Sequence, residues 1–356
     1  MAEPVCRHFG VCGGCQLQGL DAADYESRKL ARLAPVLALN PQAVAPLATS
    51  PPGVRRRLRL GFQRTRDQVL VGHRQARSKK IVDLHECPIS QPEVVTMVGR
   101  LRELLSDESV CWSKGEVSLT AFGQALDVVI LAEPEPDLAT REALALWAPA
   151  VGVARIGWQP SPTHTVELLL ELTKPRLSYG SLAVIPALGG FLQASPWADD
   201  RLRAIVSEAL EGCESVAECH AGTGTLTLAL LKEGKRVAAF ERDESALKAL
   251  AALSHPRLTW HQVDLERTPP KPGELEGFDA VLLDPPRAGA ERLCQSLDES
   301  GVDRIIYVSC EPKTLARDGS RLTRFELTKL QPVDQFLYAD HLECVARFDR
   351  VRPLGS

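Results

Sequence analysis

A cysteine at position 310 stands where an apolar segment gives way to the start of a helix. The run from Ile305 to Val308 has the apolar character of a buried parallel strand, and Pro312 suits the first turn of a following helix. The N–H groups at a helix start stabilise a thiolate, which is a strong nucleophile. The spacing therefore predicts that Cys310 performs covalent chemistry at the end of a strand.

Four other cysteines have a spacing typical of a metal centre. Cys6, Cys12 and Cys15 form C-x5-C-x2-C, and Cys87 stands far downstream before a proline. Zinc sites more often show two C-x2-C arms, whereas a tight trio with a remote cysteine before proline is closer to iron–sulfur ligation. Ordinary buried cysteines beside an isolated CxxC pair are the alternative.

The second half of the chain has the pattern of a nucleotide-binding α/β domain. A strand over 215–218 leads into a loop with glycines at 222 and 224, which let a ligand approach the backbone closely. Glu241 ends the next strand nineteen residues after Gly222, the distance at which an acidic side chain meets the ribose of an adenosine-type cofactor. Dinucleotide-binding loops normally carry a third glycine, and Thr227 takes that position here. The form E-x-x-x-G-x-G resembles the first motif of S-adenosylmethionine-dependent methyltransferases.

Acidic residues follow the next two apolar segments in the same way. Asp264 comes after the segment 258–263, and Asp284 comes after the segment 278–283. Ligands in open α/β sheets bind at the carboxyl edge of the strands, where these side chains and Cys310 would meet. Each aspartate taken alone could equally be a helix cap or a turn residue. Together they predict one crevice.

These features together resemble the RNA uridine-5-methyltransferases. The segment 308–318 is similar to the family signature VSCNPxTLARD, with Glu311 in place of the usual asparagine or aspartate. Residues 341–343 match an H-x-E element near the C-terminus, and residues 191–193 match an F-x-Q element. Two departures are Ser195, where the family usually has asparagine, and residues 336–339, where it has F-P-x-T. The cysteine spacing also matches the branch of the family that carries a 4Fe-4S cluster.

The resemblance implies a role for each of these residues. Cys310 would add to carbon 6 of uracil, Glu343 would remove the proton on carbon 5, and Asp284 would orient the uracil or the transferring group. Without the resemblance, Glu343 reads as a surface glutamate at the start of the last strand. The implied cofactor-binding set is Gln193, His220, Gly222, Gly224, Thr225, Glu241, Asp264 and Asp284. The implied ligands of a 4Fe-4S cluster are Cys6, Cys12, Cys15 and Cys87.

A basic stripe runs from Arg55 to Lys80, although the chain as a whole carries a net charge of −4. It holds ten cations against one acid, Asp67, for a local charge of +9. Such a concentration is typical of a surface that binds nucleic-acid phosphates. A solvated strand edge kept soluble by charge is the alternative. We expect a sheet that presents arginines such as Arg55, Arg56 and Arg57 to RNA.

Length and composition favour two domains in a chain of 356 residues that is 44% hydrophobic. We expect an α+β domain over residues 1–188 with the cluster and the RNA surface, and a Rossmann-like α/β methyltransferase domain over 189–356. The pattern predicts a helix over 94–105 and strands over 117–120, 126–131 and 166–172. The first residues lack a signal sequence and no stretch is long and apolar enough to cross a membrane, so a cytoplasmic protein is expected. We also expect a monomer.

The predicted function is the formation of 5-methyluridine in RNA with S-adenosylmethionine as methyl donor. Ribosomal RNA of the large subunit is the expected substrate, because no RNA-binding β-barrel precedes Cys6. Transfer RNA, methylated in its thymidine loop, is the close alternative. An iron–sulfur, NAD-linked oxidoreductase would account for the cluster and Glu241 but not for Cys310 or Glu343. A non-catalytic RNA-binding protein with the same fold is a third possibility.

Overall fold

The computed structural model describes residues 3–351, which form an eight-stranded sheet, a six-stranded sheet and a small hairpin. Residues 1–2 and 352–356, at the outer ends of the two predicted domains, lie outside the described residues. The helices are α1 (Ala22–Leu30), α2 (Ala34–Leu37), α3 (Pro92–Ser106), α4 (Leu138–Val151), α5 (Pro196–Ala209), α6 (Thr225–Lys232), α7 (Glu244–Ala251), α8 (Glu291–Glu299) and α9 (Pro312–Gly319). The strands are β1 (Ala48–Thr49), β2 (Arg57–Arg64), β3 (Val69–Gly72), β4 (Lys114–Phe122), β5 (Ala125–Leu131), β6 (Val153–Gln159), β7 (Glu167–Glu171), β8 (Leu177–Tyr179), β9 (Leu182–Val184), β10 (Ser215–Cys219), β11 (Arg236–Glu241), β12 (Leu258–Gln262), β13 (Ala280–Leu283), β14 (Arg304–Ser309), β15 (Phe325–Asp334) and β16 (Glu343–Arg350).

The eight-stranded sheet is the Rossmann-like part predicted from the second half of the chain. Its strand order is β1-β15-β16-β14-β13-β10-β11-β12, and the five strands from β14 to β12 run parallel. Strand β16 runs antiparallel to both β14 and β15. Helices on both faces bury the central strands, which is why β13 and β14 are nearly continuous apolar runs. The parallel strands direct their carboxyl ends to one edge, where the candidate site lies.

The six-stranded sheet, in the order β3-β2-β4-β5-β6-β7, packs against α3 and α4. Helix α3 presents Val94, Val98, Leu101 and Leu105 to this sheet at the spacing of one helical face. Its bounds and those of β4, β5 and β7 agree with the segments predicted from the sequence. The predicted α+β character of this part of the chain is therefore confirmed.

The segment from α1 to β1 packs against the eight-stranded sheet. Leu33 and Val36 are fully buried in the same core as Tyr307 and Phe348. Strand β1 pairs in parallel with the end of β15. Part of the N-terminal region therefore supports the sheet that carries the candidate site, and the domain boundary at 188/189 stays a prediction.

Candidate active site

Cys310 lies at the junction between β14 and α9. The strand ends at Ser309, Glu311 is the N-cap of α9 and accepts a hydrogen bond from the Lys313 N–H, and Pro312 occupies the first turn. In the β14–β16 pair Ser309 lies opposite Cys344, so the register places Cys310 beside Glu343. Two residues that are 33 positions apart in sequence are neighbours because the last strand inserts next to β14.

The Cys310 thiol and two carboxyl groups near it all have raised pKa values. Burial raises the pKa of Glu343 to about 8, and the nearby Asp284 adds to the effect. Burial alone raises the pKa of Asp284 to about 7. The pKa of the Cys310 thiol is raised to about 11 by burial and by Glu343, while a hydrogen bond from Arg287 and its charge act in the opposite direction. Arg287 is therefore the cation that favours the Cys310 thiolate.

Gln335 connects the carboxyl groups with the F-x-Q element. Its Nε2 atom donates to Glu343 Oε2 at 2.7 Å and to Gln193 Oε1 at 2.9 Å, and its Oε1 accepts from the Ala194 N–H at 3.2 Å. Gln193 Nε2 in turn lies 3.4 Å from Asp284 Oδ2. Sequence reasoning missed Gln335, which directly follows β15, because no local pattern marks it as a partner of Glu343.

The glycine loop lies between β10 and α6. Gly222 and Gly224 both have positive φ, and a Cβ atom at Gly224 would lie 2.4 Å from Leu250 Cδ2. A Cβ at Gly222 would enter open space, so that side of the loop is free for a ligand. His220 also has a positive φ of 62°, and Thr225 is the first residue of α6. The loop therefore has the open backbone that a nucleoside cofactor requires.

Acidic side chains line the same edge. Glu241 ends β11 and accepts hydrogen bonds from the N–H groups of Gly222, Arg242 and Asp243. Asp264 follows β12 and accepts from the N–H groups of the turn after it. The carboxyl ends of β10, β11, β12, β13 and β14 thus lie at one edge of the sheet, and the role of these residues stays a prediction.

The four N-terminal cysteines line one cavity. Cys6, Cys12, Cys15 and Cys87 surround it together with His73 and Phe9. A Cβ at Gly13 would lie 2.7 Å from the Arg74 carbonyl oxygen, so a glycine is needed where the loop passes β3. Within residues 3–351, no three or more His, Cys, Asp or Glu side chains converge as ligands of a metal ion. The four predicted cysteine ligands therefore lie around one cavity, and the 4Fe-4S cluster stays a proposal.

The basic stripe is only in part the exposed surface that the sequence predicted. Arg56 is buried and forms an ion pair with Asp199 at 2.7 Å, and Arg57 donates to the Leu192 carbonyl oxygen. Arg64 donates to three backbone carbonyls, and Arg59 and Arg74 pair with Glu116. The prediction was wrong for Arg56, which is buried, because composition counts charges without showing which carbonyls and carboxylates they meet. Arg59 and Arg74 remain exposed, and a role for them in RNA binding stays a prediction. Four exposed cations of the stripe make no such contact within residues 3–351. They are Arg66, Arg77, Lys79 and Lys80.

Comparisons with known proteins agree with this geometry. Residues 274–351 match the family described as tRNA (uracil-5-)-methyltransferase. An uncharacterized RNA methyltransferase of Mesorhizobium japonicum is 34% identical, with 98% of this chain and 85% of that protein covered. The 23S rRNA (uracil(1939)-C(5))-methyltransferase RlmD of Thiobacillus denitrificans is 33% identical, with 98% and 86% covered. The chain belongs to the class I RNA (uracil-5-)-methyltransferase family. The resemblance drawn from the motifs is thereby confirmed, and the chain is a methyltransferase and not an NAD-linked oxidoreductase.

A solved structure of similar fold is the tRNA (uracil-54, C5)-methyltransferase of Pyrococcus abyssi, determined with S-adenosyl-L-homocysteine. It has 24% sequence identity and a TM-score of 0.72, and the comparison covers 95% of this chain and 86% of that one. The likeness supports the Rossmann-like fold of this methyltransferase. In the part of the chain that the structure describes, no helix has the length and apolar character needed to cross a bilayer.

Proposed function

We propose that this methyltransferase transfers a methyl group from S-adenosylmethionine to carbon 5 of a uridine in 23S ribosomal RNA, through a covalent bond between Cys310 and carbon 6. The observation that carries the proposal is the position of Cys310 beside Glu343 at the end of the β14–β16 pair. A nucleophile and a base are both needed at one uracil ring, and this pair supplies them. Transfer RNA is the second candidate, because the matched family description and the Pyrococcus abyssi protein both refer to tRNA.

Carbon 5 of uracil is a weak nucleophile, so the ring must first be activated. The Cys310 thiolate adds to carbon 6, and the electron pair of the C5–C6 double bond moves toward O4 to give an enolate. The hydrogen bond from Arg287 stabilises the thiolate before the addition. Once carbon 5 is methylated, Glu343 removes its proton, the double bond re-forms, and the thiolate leaves. Glu343 must be ionised for that step, so its raised pKa matters directly.

The crevice suits S-adenosylmethionine, which supplies an electrophilic methyl group when bound. Gly222 and Gly224 give the open backbone loop, and Glu241 and Asp264 offer carboxylate oxygens to hydroxyl and amino groups. Gln193 donates to Asp284 at 3.4 Å, and we assign it to the same site. We assign His220 and Thr225 to the same cofactor site, because both lie in the loop that opens toward the crevice.

The cysteine cavity suits a 4Fe-4S cluster held by Cys6, Cys12, Cys15 and Cys87. Four thiols around one cavity are the donor set that such a cluster requires. A four-iron cluster is bulkier than one ion and holds its thiolates farther apart, which is compatible with side chains that do not converge on a single point. The cluster would tie the first fifteen residues to the segment that follows β3.

The test is methylation in vitro of ribosomal and transfer RNA that lack modifications, followed by mapping of the methylated nucleotide. The expected result is 5-methyluridine at one site of 23S ribosomal RNA. Methylation of transfer RNA alone would replace the ribosomal substrate with the second candidate. Methylation at a position other than carbon 5, or label transfer by a Cys310→Ala variant, would contradict the proposed chemistry.

A further inference from the structure

The cysteine cavity and the candidate base are connected through one loop. Residues 335–342, here called the base loop, join β15 to β16 and lie between Asp334 and Glu343. Gln335 at its start holds the Glu343 carboxylate. The position of Gln335 therefore contributes to the orientation of the Glu343 side chain.

The segment directly after Cys15 contacts the base loop through its backbone. The N–H groups of Gln16 and Leu17 both donate to the Tyr338 carbonyl oxygen, at 2.8 and 3.0 Å. Residues 6–15, which carry Cys6, Cys12 and Cys15, are here called the cysteine loop. The Gln16 side chain accepts from the Asp340 N–H at 3.2 Å and donates to the Gly13 carbonyl within this loop. Leu17 and Leu337 pack in one apolar cluster that also contacts Cys15 and Cys87.

Helix α1 holds the same loop from a second direction. The Tyr25 hydroxyl donates to Asp334 Oδ2 at 2.5 Å and accepts from the Tyr338 N–H at 3.0 Å. Lys29 lies 2.5 Å from Asp334 Oδ1, and both side chains are fully buried. Lys29 Nζ also donates to the Phe336 and His341 carbonyl oxygens.

Tyr338 has a backbone conformation that needs such support. Its φ is +61°, in the left-handed region, which is uncommon for a residue with a bulky side chain and costs energy unless its surroundings fix it. Both its N–H and its carbonyl oxygen are bonded to the N-terminal segment, and its ring packs edge-on against Tyr25. The strained residue is thus held by contacts with α1 and the cysteine loop.

We propose that residues 15–29 form a brace that positions the base loop, with Tyr25 and Tyr338 as positioning residues for Glu343. The inference rests on the proposed role of Glu343 as the base. It implies that the arrangement of the cysteine loop affects, through Gln16, the rate at which the methylated product is released. Loosening the brace slows removal of the carbon 5 proton and leaves the earlier addition of Cys310 intact.

The test uses Tyr25→Phe and Gln16→Ala in the full chain. Tyr25→Phe removes one buried hydroxyl without changing the ring, and Gln16 is exposed, so its truncation threatens folding less. The expected result for Tyr25→Phe is release slowed about tenfold, as expected for a lost bond to a buried carboxylate, with accumulation of a methylated protein–RNA adduct that resists denaturation. Gln16→Ala should show a smaller rise of the same adduct. Binding of S-adenosylmethionine should be unchanged in both.

Tyr307→Phe is the matched control. Tyr307 is also buried and also donates to a buried carboxylate, that of Asp318 at 2.6 Å, but it lies on β14 and its hydroxyl makes no hydrogen bond to the described residues 335–342. It should lose stability without raising the adduct fraction. An equal rise in Tyr307→Phe would show that general loosening is the cause, and the brace would be rejected.

Hydrogen exchange measures the brace independently of the role of Glu343. The amides of Tyr338 and Asp340 should exchange faster in Tyr25→Phe and Gln16→Ala than in the parent protein or in Tyr307→Phe. Unchanged exchange over 335–342 would overturn the brace. In a parallel reaction, Glu343→Gln should trap the adduct. If it does not, the assignment of the base fails, while the exchange data still decide whether the brace exists.

Discussion

Replacing Glu343 by glutamine should stabilise the protein as well as stall its reaction. Glu343 is 3% exposed, and its carboxylate has Gln335 as its one hydrogen-bond donor among the described side chains. A glutamine oxygen can accept the same bond, so the substitution removes the charge and keeps the contact. A buried charge without a close cationic partner destabilises the fold.

The size of the effect follows from the pKa of Glu343, which burial raises from 4.5 to about 8. The folded protein therefore binds the proton more tightly than the unfolded chain does. Below pH 4.5 Glu343 is protonated in both the folded and the unfolded state, so its charge has no effect on the free energy of unfolding. As the pH rises toward 8, the free energy of unfolding falls by up to about 1.4 kcal/mol per pH unit. The total loss is at most about 4 kcal/mol at pH 8. Because part of the shift comes from Asp284 and glutamine must also be desolvated, we expect about 2 kcal/mol.

Urea unfolding at three pH values measures this effect. The gap in unfolding free energy between Glu343→Gln and the parent protein should be near zero at pH 4.5 and widen up to pH 8. Glu326→Gln, which changes an exposed carboxylate on β15, should show no such widening. A gap that does not change with pH would refute the reasoning that Glu343 is a buried carboxylate with a raised pKa.

Three further predictions concern other parts of the protein. Release of the methylated product should quicken up to about pH 8, where Glu343 is half ionised; a flat profile in single-turnover release would contradict this. Protein purified without oxygen should be brown, and Cys15→Ser should lower its iron content; stoichiometric zinc in place of iron would reject the cluster. Neutralising Arg66, Lys79 and Lys80 should flatten the dependence of RNA affinity on salt, by up to about 0.9 for each phosphate that is no longer neutralised; an unchanged slope in a binding titration would place the RNA elsewhere.

Local signals were sufficient for much of the fold and for the position of Cys310 between a strand and a helix. The strands β13 and β14 were predictable because strands buried on both faces are nearly continuous apolar runs. The junction at Cys310 was predictable because proline suits the first turn of a helix, and the structure has Glu311 as the cap directly before it. The glycines at 222 and 224 were informative because positive φ excludes most other residues.

The basic stripe shows where sequence reasoning failed. A cluster of arginines has the same composition whether it faces solvent or a neighbouring segment. Arg56 is buried because its backbone and side chain bond to the carbonyls of Ala194 and Gln193, more than a hundred residues away. No pattern within 55–80 contains that information.

Residue types at short spacing were enough to predict the family and the Rossmann-like half, and the assignment of Cys310 as the reactive thiol stays a prediction. They could not show which distant residues meet, because that depends on how the chain folds back on itself. Folding brings Glu343 beside Cys310 through the antiparallel insertion of β16. It places Gln335 between Glu343 and Gln193, with a hydrogen bond to each. It also places α1 and the cysteine loop against the base loop, through bonds between residues about 300 positions apart. The energies of such contacts depend on burial, which no local pattern records.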